Sequence, residues 1–447
     1  MRFVAIGGDA AGMSAASRAK RNLNDWDVTV FEQGFDVSYS ACGMPYNIAD
    51  PGRDINDLVV RQARVFKEKQ GIDLKTGHCV NKIDRGKKIV SGITLDGNQF
   101  TVSYDKLLIA TGASPIIPDL PGFDLNGVMA LKSLDSGRRI KEYIRARNVN
   151  KIAIIGMGYI ALEMCEAFRA VGIDVSVVKP RPGFIPWMSP NLSKVVQDEV
   201  VKNGIKLYLG HKIMGIEETG ANRLRVICED LSIDCHMVLV AVGVWPNSRL
   251  AGEAGLNLGV ANSISVERDM TTSDKDIYAA GDCADAYHVV TGKKVWIPLA
   301  LRANRAGWAV ADHLSGQNVQ LDGVAGTAVF KTFDLQVART GLGIEEAKKE
   351  GFEPVETVIE SRSRAHAHPG STTIYAQMVG DRRSGRLLGA QMVGCEGVAH
   401  RINAIAVALH QKMTVESFSQ CDLAYAPPFS PVWDPTLTAA NQLLKML

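Results

Sequence analysis

The chain has 447 residues, of which 46% are apolar and 22% charged, and its formal net charge is +2. A charge this close to neutral gives no reason to expect a nucleic acid or an anionic membrane as partner. At roughly 100–200 residues per domain, two or three domains are expected. The N-terminal apolar stretch is too short for a signal peptide, and no apolar run approaches the ~20 residues of a transmembrane helix, which predicts a cytoplasmic protein.

The chain opens with the pattern of a buried strand, a glycine-rich turn and a helix. Arg2 to Ile6 is typical of the strand, Gly7 to Gly12 of the turn, and Met13 to Arg21 of the helix. A second strand, Val28 to Phe31, ends at Glu32. These segments together predict a βαβ unit.

The turn of this unit has the composition of a dinucleotide site. Glycines let a pyrophosphate approach the backbone at the helix N-terminus, and an acid about 20 residues later binds a ribose hydroxyl. Gly7, Gly12 and Glu32 are therefore predicted to bind the cofactor. Asp9 departs from the pattern, because it stands where the motif has its middle glycine.

The same pattern returns later in the chain, which makes chance less plausible than for one copy. Its strand, turn, helix and second strand are predicted at Lys151 to Ile155, Gly156 to Ala161, Leu162 to Ala170 and Val175 to Val178. Gly156 and Gly158 are the predicted cofactor-binding glycines.

The second unit lacks the acidic residue at the end of its second strand. Lys179 and Arg181 stand there instead, and basic side chains favour the 2′-phosphate of NADPH over a free hydroxyl. The alternative is that both are solvated loop charges, so NADH remains open.

The eight cysteines are scattered, with no Cys-x-x-Cys pair and no spacing typical of a metal site. No metal is predicted. Seven of them are expected to be buried small hydrophobic residues. Cys42, in Ser38 to Tyr46, is the exception, because its segment carries the family resemblance given below, which implies a redox-active thiol.

Further segments, in chain order, resemble the pyridine nucleotide-disulfide oxidoreductase family along essentially the whole chain. The resemblance implies that Ala110, Thr111 and Gly112 form the family's strand-turn, and that Val238 to Asn247 closes the NAD(P)H-binding region. It also implies that Asp282 binds the ribityl chain of FAD. A helix beginning near Ala300 would point its N-terminus at the flavin.

The resemblance implies an α/β fold with two Rossmann-like dinucleotide-binding domains and a C-terminal α+β dimerisation domain. The FAD-binding domain is expected at residues 1–119 and 250–323, and the NAD(P)H-binding domain at 120–249. Residues 324–447 are the expected dimerisation domain, with strands at Thr327 to Phe330 and Thr372 to Val379 and a helix at Gly397 to Leu409. A homodimer follows.

Dithiol members of the family have Cys-x-x-x-x-Cys, but Asn47 and Val37 occupy the positions five residues on either side of Cys42. The segment therefore resembles the single-cysteine subgroup, which includes coenzyme A-disulfide reductases, persulfide and polysulfide reductases, and NADH oxidases and peroxidases. Nucleophilic attack requires the thiolate, so the pKa of Cys42 is expected to lie below the free value of ~8.5.

Substrate and acid residues are also implied by the resemblance. Ser14, Arg18, Arg21 and Ser38 match coenzyme A-binding positions, although an exposed basic helix face explains the arginines equally well. Tyr425 matches a tail tyrosine that reaches the active cysteine of the partner subunit.

The subgroup's Tyr-Tyr-Pro-Gly stretch is replaced by His366-Ala367-His368-Pro369-Gly370. A histidine titrating near neutrality suits an acid role, while solvated loop histidines are the simpler reading. This departure leaves the substrate open.

The predicted function is therefore an FAD-dependent NAD(P)H oxidoreductase that reduces coenzyme A disulfide, or a related disulfide, persulfide or polysulfide, through a single cysteine. The alternative is an NADH oxidase or peroxidase cycling through a cysteine sulfenic acid. A redox-sensing interaction protein without turnover is a third reading, which the complete set of electron-transfer segments disfavours.

Overall fold

The structure is a computed structural model that describes residues 1–220 and 222–447. The strands up to the second glycine turn are β1 Arg2–Ile6, β2 Asp27–Phe31, β3 Asp73–Lys75, β4 His78–Asp84, β5 Ile89–Thr94, β6 Gln99–Ser103, β7 Lys106–Ile109, β8 Ala113–Pro115, β9 Val128–Met129 and β10 Lys151–Ile155. The next strands are β11 Asp174–Lys179, β12 Lys206–Leu209, β13 Ile213–Gly220, β14 Arg223–Cys228, β15 Ser232–Cys235, β16 Met237–Val240 and β17 Val244–Pro246. The last are β18 Ile277–Ala279, β19 Ala286–Tyr287, β20 Lys294–Val295, β21 Ala328–Thr332, β22 Leu335–Gly341, β23 Pro354–Arg362, β24 Thr373–Asp381 and β25 Leu387–Gly394.

The first six α-helices are α1 Ala10–Asn22, α2 Met44–Ile48, α3 Ala63–Gln70, α4 Leu134–Arg147, α5 Tyr159–Ala170 and α6 Pro190–Lys202. The others are α7 Arg249–Glu253, α8 Ala300–Leu314, α9 Ile344–Lys349, α10 Val398–His410, α11 Val415–Ser419 and α12 Pro435–Leu443. Short 3₁₀ turns occur at Ala41–Gly43, Ile55–Leu58 and Val260–Asn262. Among these described helices, none is both long and apolar enough to cross a membrane.

A parallel five-stranded sheet holds the first βαβ unit. Its order is β18-β7-β1-β2-β3, and β1 lies between β2 and β7. Ile6 pairs with both Phe31 and Ile109, so the loops that follow these three strands leave from the same edge. The sheet packs with α1 and α8 in one apolar cluster. The predicted first unit is confirmed.

The second unit forms its own parallel sheet of order β12-β11-β10-β16-β9. The predicted strand at Lys151–Ile155 is present with the predicted bounds. The chain crosses between the two sheets twice. One crossing segment contains β8 and the other contains β17, and these two strands pair antiparallel. Thr111 Oγ1 donates to the Asn247 carbonyl at 2.6 Å, and the Asn247 amide donates to the Thr111 carbonyl at 2.8 Å. These bonds link the two crossings next to the first glycine turn.

The third sheet is antiparallel, with order β21-β22-β25-β24-β23. Every residue of β25 is buried, because α10 and α12 pack with this sheet in a separate apolar cluster. The predicted strands at residues 327–330 and 372–379 and the helix at 397–409 correspond to β21, β24 and α10. The α/β class with a C-terminal α+β unit is therefore confirmed.

Candidate functional site

The first glycine turn is closed to side chains at two positions. Gly7 has φ +114°, and a Cβ placed on it would collide with the Ala110 carbonyl oxygen. A Cβ on Gly12 would collide with the Gly7 carbonyl oxygen. The turn therefore brings the N-terminus of α1 against the loop after β7, where main-chain N–H groups suit an anionic ligand.

Glu32 lies at the end of β2 and is fixed by this turn. One of its carboxylate oxygens accepts the Gly8 N–H at 2.8 Å, and the other accepts the Gly34 N–H at 2.8 Å. A carboxylate accepts about four hydrogen bonds, so these two leave capacity for a ribose hydroxyl. The residues present therefore fit an adenine dinucleotide.

The predicted flavin-facing segments lie around the same turn. Asp282 follows β18, its carboxylate is 3.2 Å from Lys132 Nζ, and its carbonyl accepts the Trp296 indole N–H at 2.8 Å. The α8 helix begins at Ala300, as predicted. Sequence reasoning missed Arg302, whose buried guanidinium donates to main-chain carbonyls of the Asp282 loop.

The second glycine turn begins, like the first, with a glycine in a positive-φ conformation. Gly156 has φ +116°, and a Cβ on it would collide with the Ala241 carbonyl oxygen. A Cβ on Gly158 would meet no atom within 4 Å. Gly158 thus leaves a cradle over the N-terminus of α5 that a side chain would fill. This space fits the pyrophosphate of a second dinucleotide.

Lys179 is buried at the end of β11, and its ammonium is committed to the protein. Nζ donates to the carbonyls of Gly183 at 2.6 Å and Phe184 at 3.2 Å. Burial, followed by nearby Arg181, lowers the pKa of Lys179. The prediction that Lys179 contacts a 2′-phosphate does not fit these bonds. Arg181 is exposed and remains the basic side chain for that role.

Cys42 is exposed in the 3₁₀ turn that leads into α2. The position of a second redox cysteine, Asn47, is completely buried. Its amide donates to the Asp54 carbonyl at 2.9 Å, and its side-chain oxygen accepts from Lys141 Nζ at 2.9 Å. Asn47 therefore clamps α2 to α4, which gives a structural reason for its presence and leaves Cys42 as a lone thiol on this segment.

The surroundings of Cys42 do not lower its pKa, contrary to the expectation from sequence. Although part of the residue is open to solvent, the protein around the thiol desolvates it, which raises the pKa of Cys42 most; the next contribution is the carboxylate of Glu163. Glu163 lies on α5 and accepts a hydrogen bond from Tyr46 Oη at 3.0 Å. Burial raises the pKa of Glu163 as well. The sequence carries one signal for this role of Glu163. The helix Tyr159–Ala170 is mostly apolar, yet it contains two glutamates.

We expect the substitution Glu163→Gln to lower the pKa of Cys42. It removes the largest charge that opposes the thiolate, so at fixed pH the thiolate fraction increases. The pH profile of iodoacetamide alkylation at Cys42, followed by peptide mass spectrometry, should move to lower pH. Glu166→Gln is the matched control, because Glu166 lies on the same helix but accepts from the Phe333 N–H. An unmoved profile for Glu163→Gln would contradict this assignment.

The predicted substrate residues of α1 face α8. Ser14 Oγ donates to Asn304 Oδ1 at 2.7 Å. Arg18 Nε is 2.5 Å from Asp312 Oδ1, and its guanidinium lies 5.1 Å from the centre of the Trp308 ring. Arg18 is therefore neutralised by a carboxylate that sequence reasoning did not pair with it.

Arg21 and Ser38 flank this face. Arg21 is exposed one turn beyond Arg18. Ser38 has φ +49°, and its N–H donates to the Gly8 carbonyl at 3.3 Å, so it lies against the first glycine turn. The structure thus places Ser38 close to the predicted FAD site. Of the two arginines, Arg18 and Arg21, it leaves Arg21 as the exposed cation.

The tail that carries Tyr425 is bonded to the histidine loop. The Ala365 N–H donates to the Pro427 carbonyl at 3.0 Å. Tyr425 is 48% exposed, and exposed apolar side chains follow it at Phe429 and Trp433. His366 is also exposed. Within residues 1–220 and 222–447, no group of three His, Cys, Asp or Glu side chains could hold a metal ion.

Comparison with known proteins gives matches over nearly the whole chain. Residues 1–307 match the family model described as pyridine nucleotide-disulphide oxidoreductase, and residues 327–435 match its dimerisation domain. The chain is 37% identical to the NAD(P)H sulfur oxidoreductase (CoA-dependent) of Pyrococcus furiosus, with 99% of each chain covered. It is 34% identical to the NADH oxidase of Methanocaldococcus jannaschii, with 100% of this chain and 99% of that protein covered. The structure of an NAD-dependent persulfide reductase from A. fulgidus superposes with TM-score 0.96 at 34% identity, over 100% of this chain and 83% of that one.

Proposed function

We propose that this chain, which belongs to the pyridine nucleotide-disulphide oxidoreductase family, uses Cys42 to reduce a coenzyme A-linked disulfide, persulfide or polysulfide. It is an oxidoreductase that uses FAD and NAD(P)H. The observation that carries the substrate proposal is the lone, exposed Cys42 with a buried Asn47 in place of a second thiol. Without a neighbouring thiol on its own segment, Cys42 would take its disulfide partner from outside that segment, as a small sulfur compound provides.

The chemistry at Cys42 is thiol–disulfide exchange. Its thiolate attacks one sulfur of the substrate, the S–S bond breaks, and one thiolate leaves while a mixed disulfide forms. When bound, FAD carries two electrons from NAD(P)H to sulfur. In the net reaction NAD(P)H is oxidised, one S–S bond is reduced, and two thiols form with one proton taken from solvent. The raised pKa of Cys42 means that a base or the bound ligands must favour the thiolate.

A homodimer supplies the acid in this proposal, with Tyr425 reaching Cys42 of the partner subunit. The match of residues 327–435 to a dimerisation domain supports the assembly. The exposure of Tyr425, Phe429 and Trp433 supports burial of this tail in an interface, since contiguous exposed apolar side chains mark such surfaces. The Tyr425 hydroxyl would donate a proton to the leaving thiolate. His366 and His368 lie on the loop bonded to this tail and would enter the same interface.

We propose the domain division expected from sequence. Residues 1–119 and 250–323 bind FAD, because strands from both stretches share the first sheet. Residues 120–249 bind NAD(P)H on the second sheet, and residues 324–447 form the dimerisation domain. The glycine cradles at Gly7, Gly12, Gly156 and Gly158 hold the two pyrophosphates.

The α1–α8 face is the proposed site for the nucleotide part of coenzyme A. Arg21 and Ser38 offer guanidinium and hydroxyl donors for phosphate, whereas the hydroxyl of Ser14 would have to give up its bond to Asn304 to do so. Arg18 would contribute less than the sequence suggested, because Asp312 already neutralises it. Its guanidinium instead covers Trp308, which is 47% exposed and able to pack on a base.

Arg181 is the proposed determinant of NADPH use. We expect Arg181→Ala to raise the KM for NADPH roughly tenfold, the effect of losing a charge-assisted hydrogen bond of about 1.5 kcal/mol. The KM for NADH should be unchanged, which makes it the internal control. Equal changes for both nucleotides, measured by steady-state kinetics, would remove Arg181 from this role.

NADH oxidation by oxygen or peroxide is the second candidate. The 34% identity to an NADH oxidase favours it, and an exposed Cys42 suits a sulfenic acid cycle as well as disulfide exchange. Dependence of turnover on dissolved oxygen or added hydrogen peroxide distinguishes the two.

The proposed function is tested by anaerobic NAD(P)H consumption with coenzyme A disulfide, coenzyme A persulfide and polysulfide. Turnover with at least one of them, above the rate without acceptor, is expected. No consumption with any of the three, together with oxygen-dependent turnover, would replace the proposal by the oxidase.

A further inference from the structure

Asp9 places a carboxylate where the fold otherwise keeps open space for a phosphate. It is the N-cap residue of α1, with φ −105°, and its side chain makes no capping hydrogen bond. The corresponding residue of the second glycine turn is Gly158, also an N-cap residue, where an added Cβ meets no atom within 4 Å. The two cradles therefore differ in charge, because the first carries an acid at the helix N-terminus.

The charges facing Asp9 come from three other segments. Glu32 at the end of β2 and Asp282 after β18 are carboxylates, and Lys132 before α4 is the cation. Lys132 is itself 3.2 Å from Asp282. Tyr39 and Cys42 also lie near Asp9, and the negative charge of Asp9 contributes to the raised pKa of each.

These surroundings oppose the ionised form of Asp9. Burial and then the charge of Glu32 raise the pKa of Asp9 to about 6, while Lys132 and the Ala10 N–H act in the opposite direction. A bound pyrophosphate would add negative charge beside the same carboxyl group. Like charges in contact raise a pKa further, so ligand binding and protonation must favour each other.

We propose that Asp9 binds FAD as the neutral carboxylic acid, donating its hydroxyl to a phosphate oxygen, so that FAD affinity falls as pH rises. A protonated carboxyl group has one O–H donor, whereas the carboxylate has none and repels the phosphate. The inference concerns FAD binding and is independent of which sulfur compound is reduced.

The test measures FAD release from the purified holoprotein. Serial dilution at several pH values, followed by the fluorescence of released FAD, gives the dissociation constant for the wild type, Asp9→Asn and Asp9→Gly. Asp9→Asn keeps a neutral donor of the same shape, and Asp9→Gly restores the glycine of the motif. The readout is the ratio of the wild-type dissociation constant to that of each variant, which cancels the titration of shared groups such as Lys132 and Tyr39.

We expect the dissociation constant of the wild type, divided by that of Asp9→Asn, to be near one at about pH 5.5. Above the pKa of Asp9 this ratio should increase by up to about tenfold per pH unit, because one proton is linked to binding. Asp9→Gly should likewise lack the pH dependence, and it serves if Asp9→Asn does not fold. A ratio that stays constant with pH, or weaker FAD binding by Asp9→Asn than by the wild type at high pH, would overturn the proposal.

Discussion

The substitution Cys42→Ser is expected to abolish reduction of coenzyme A-linked sulfur, with a loss of kcat on the order of 10³ or more. A serine hydroxyl does not ionise near neutral pH and cannot form a disulfide. Reduction of the bound flavin by NAD(P)H should persist, because Cys42 lies outside both glycine turns. Stopped-flow absorbance separates this half-reaction from turnover with disulfide.

Cys395→Ser is the matched control, since Cys395 is also exposed but directly follows β25 of the third sheet. We expect wild-type turnover from it. Full activity in Cys42→Ser would show that another group reacts with the substrate. Loss of flavin reduction in Cys42→Ser would mean that the substitution damages the nucleotide sites rather than sulfur chemistry.

Two glycines of the second turn should respond to alanine in opposite ways. Gly156→Ala is expected to destabilise the protein by roughly 2–5 kcal/mol, because it combines a positive φ with a collision at the Ala241 carbonyl. Gly158→Ala should leave stability nearly unchanged, since its φ is −90° and its Cβ meets nothing within 4 Å. Its methyl group would instead intrude on the nucleotide.

Thermal unfolding and NAD(P)H kinetics measure the two effects separately. We expect a lower Tm for Gly156→Ala alone, and for Gly158→Ala a KM for NAD(P)H about tenfold higher, the effect of losing roughly 1.4 kcal/mol of binding. An unchanged KM in Gly158→Ala would show that the pyrophosphate does not occupy this cradle.

Much of the fold was predictable because local patterns agree with it. The strand before each glycine turn was predicted with its observed bounds, at Arg2–Ile6 and Lys151–Ile155. Buried parallel strands have continuous apolar sequences. Each turn is too tight for a side chain at certain positions, so it is marked in the sequence by glycines. Both helices begin three residues before the predicted starts, at Ala10 and Tyr159.

The parts of the site that sequence reasoning missed depend on distant side chains. Asp312, which neutralises Arg18, lies 294 residues after it in the chain. Glu163 faces Cys42 from the second βαβ unit, and the commitment of Lys179 to loop carbonyls depends on how that loop folds back. The spacing of residues along the chain does not show which distant side chains meet. The charge partners and the directions of the pKa shifts therefore required the structure.

The most direct measurement of the proposed chemistry is the mass of the peptide containing Cys42. Enzyme reduced anaerobically with NADPH, mixed with coenzyme A disulfide and quenched in acid, should carry one coenzyme A in disulfide linkage on Cys42. A coenzyme A adduct on a different cysteine, or an unmodified Cys42 that gains only oxygen on exposure to air, would contradict disulfide exchange at this residue.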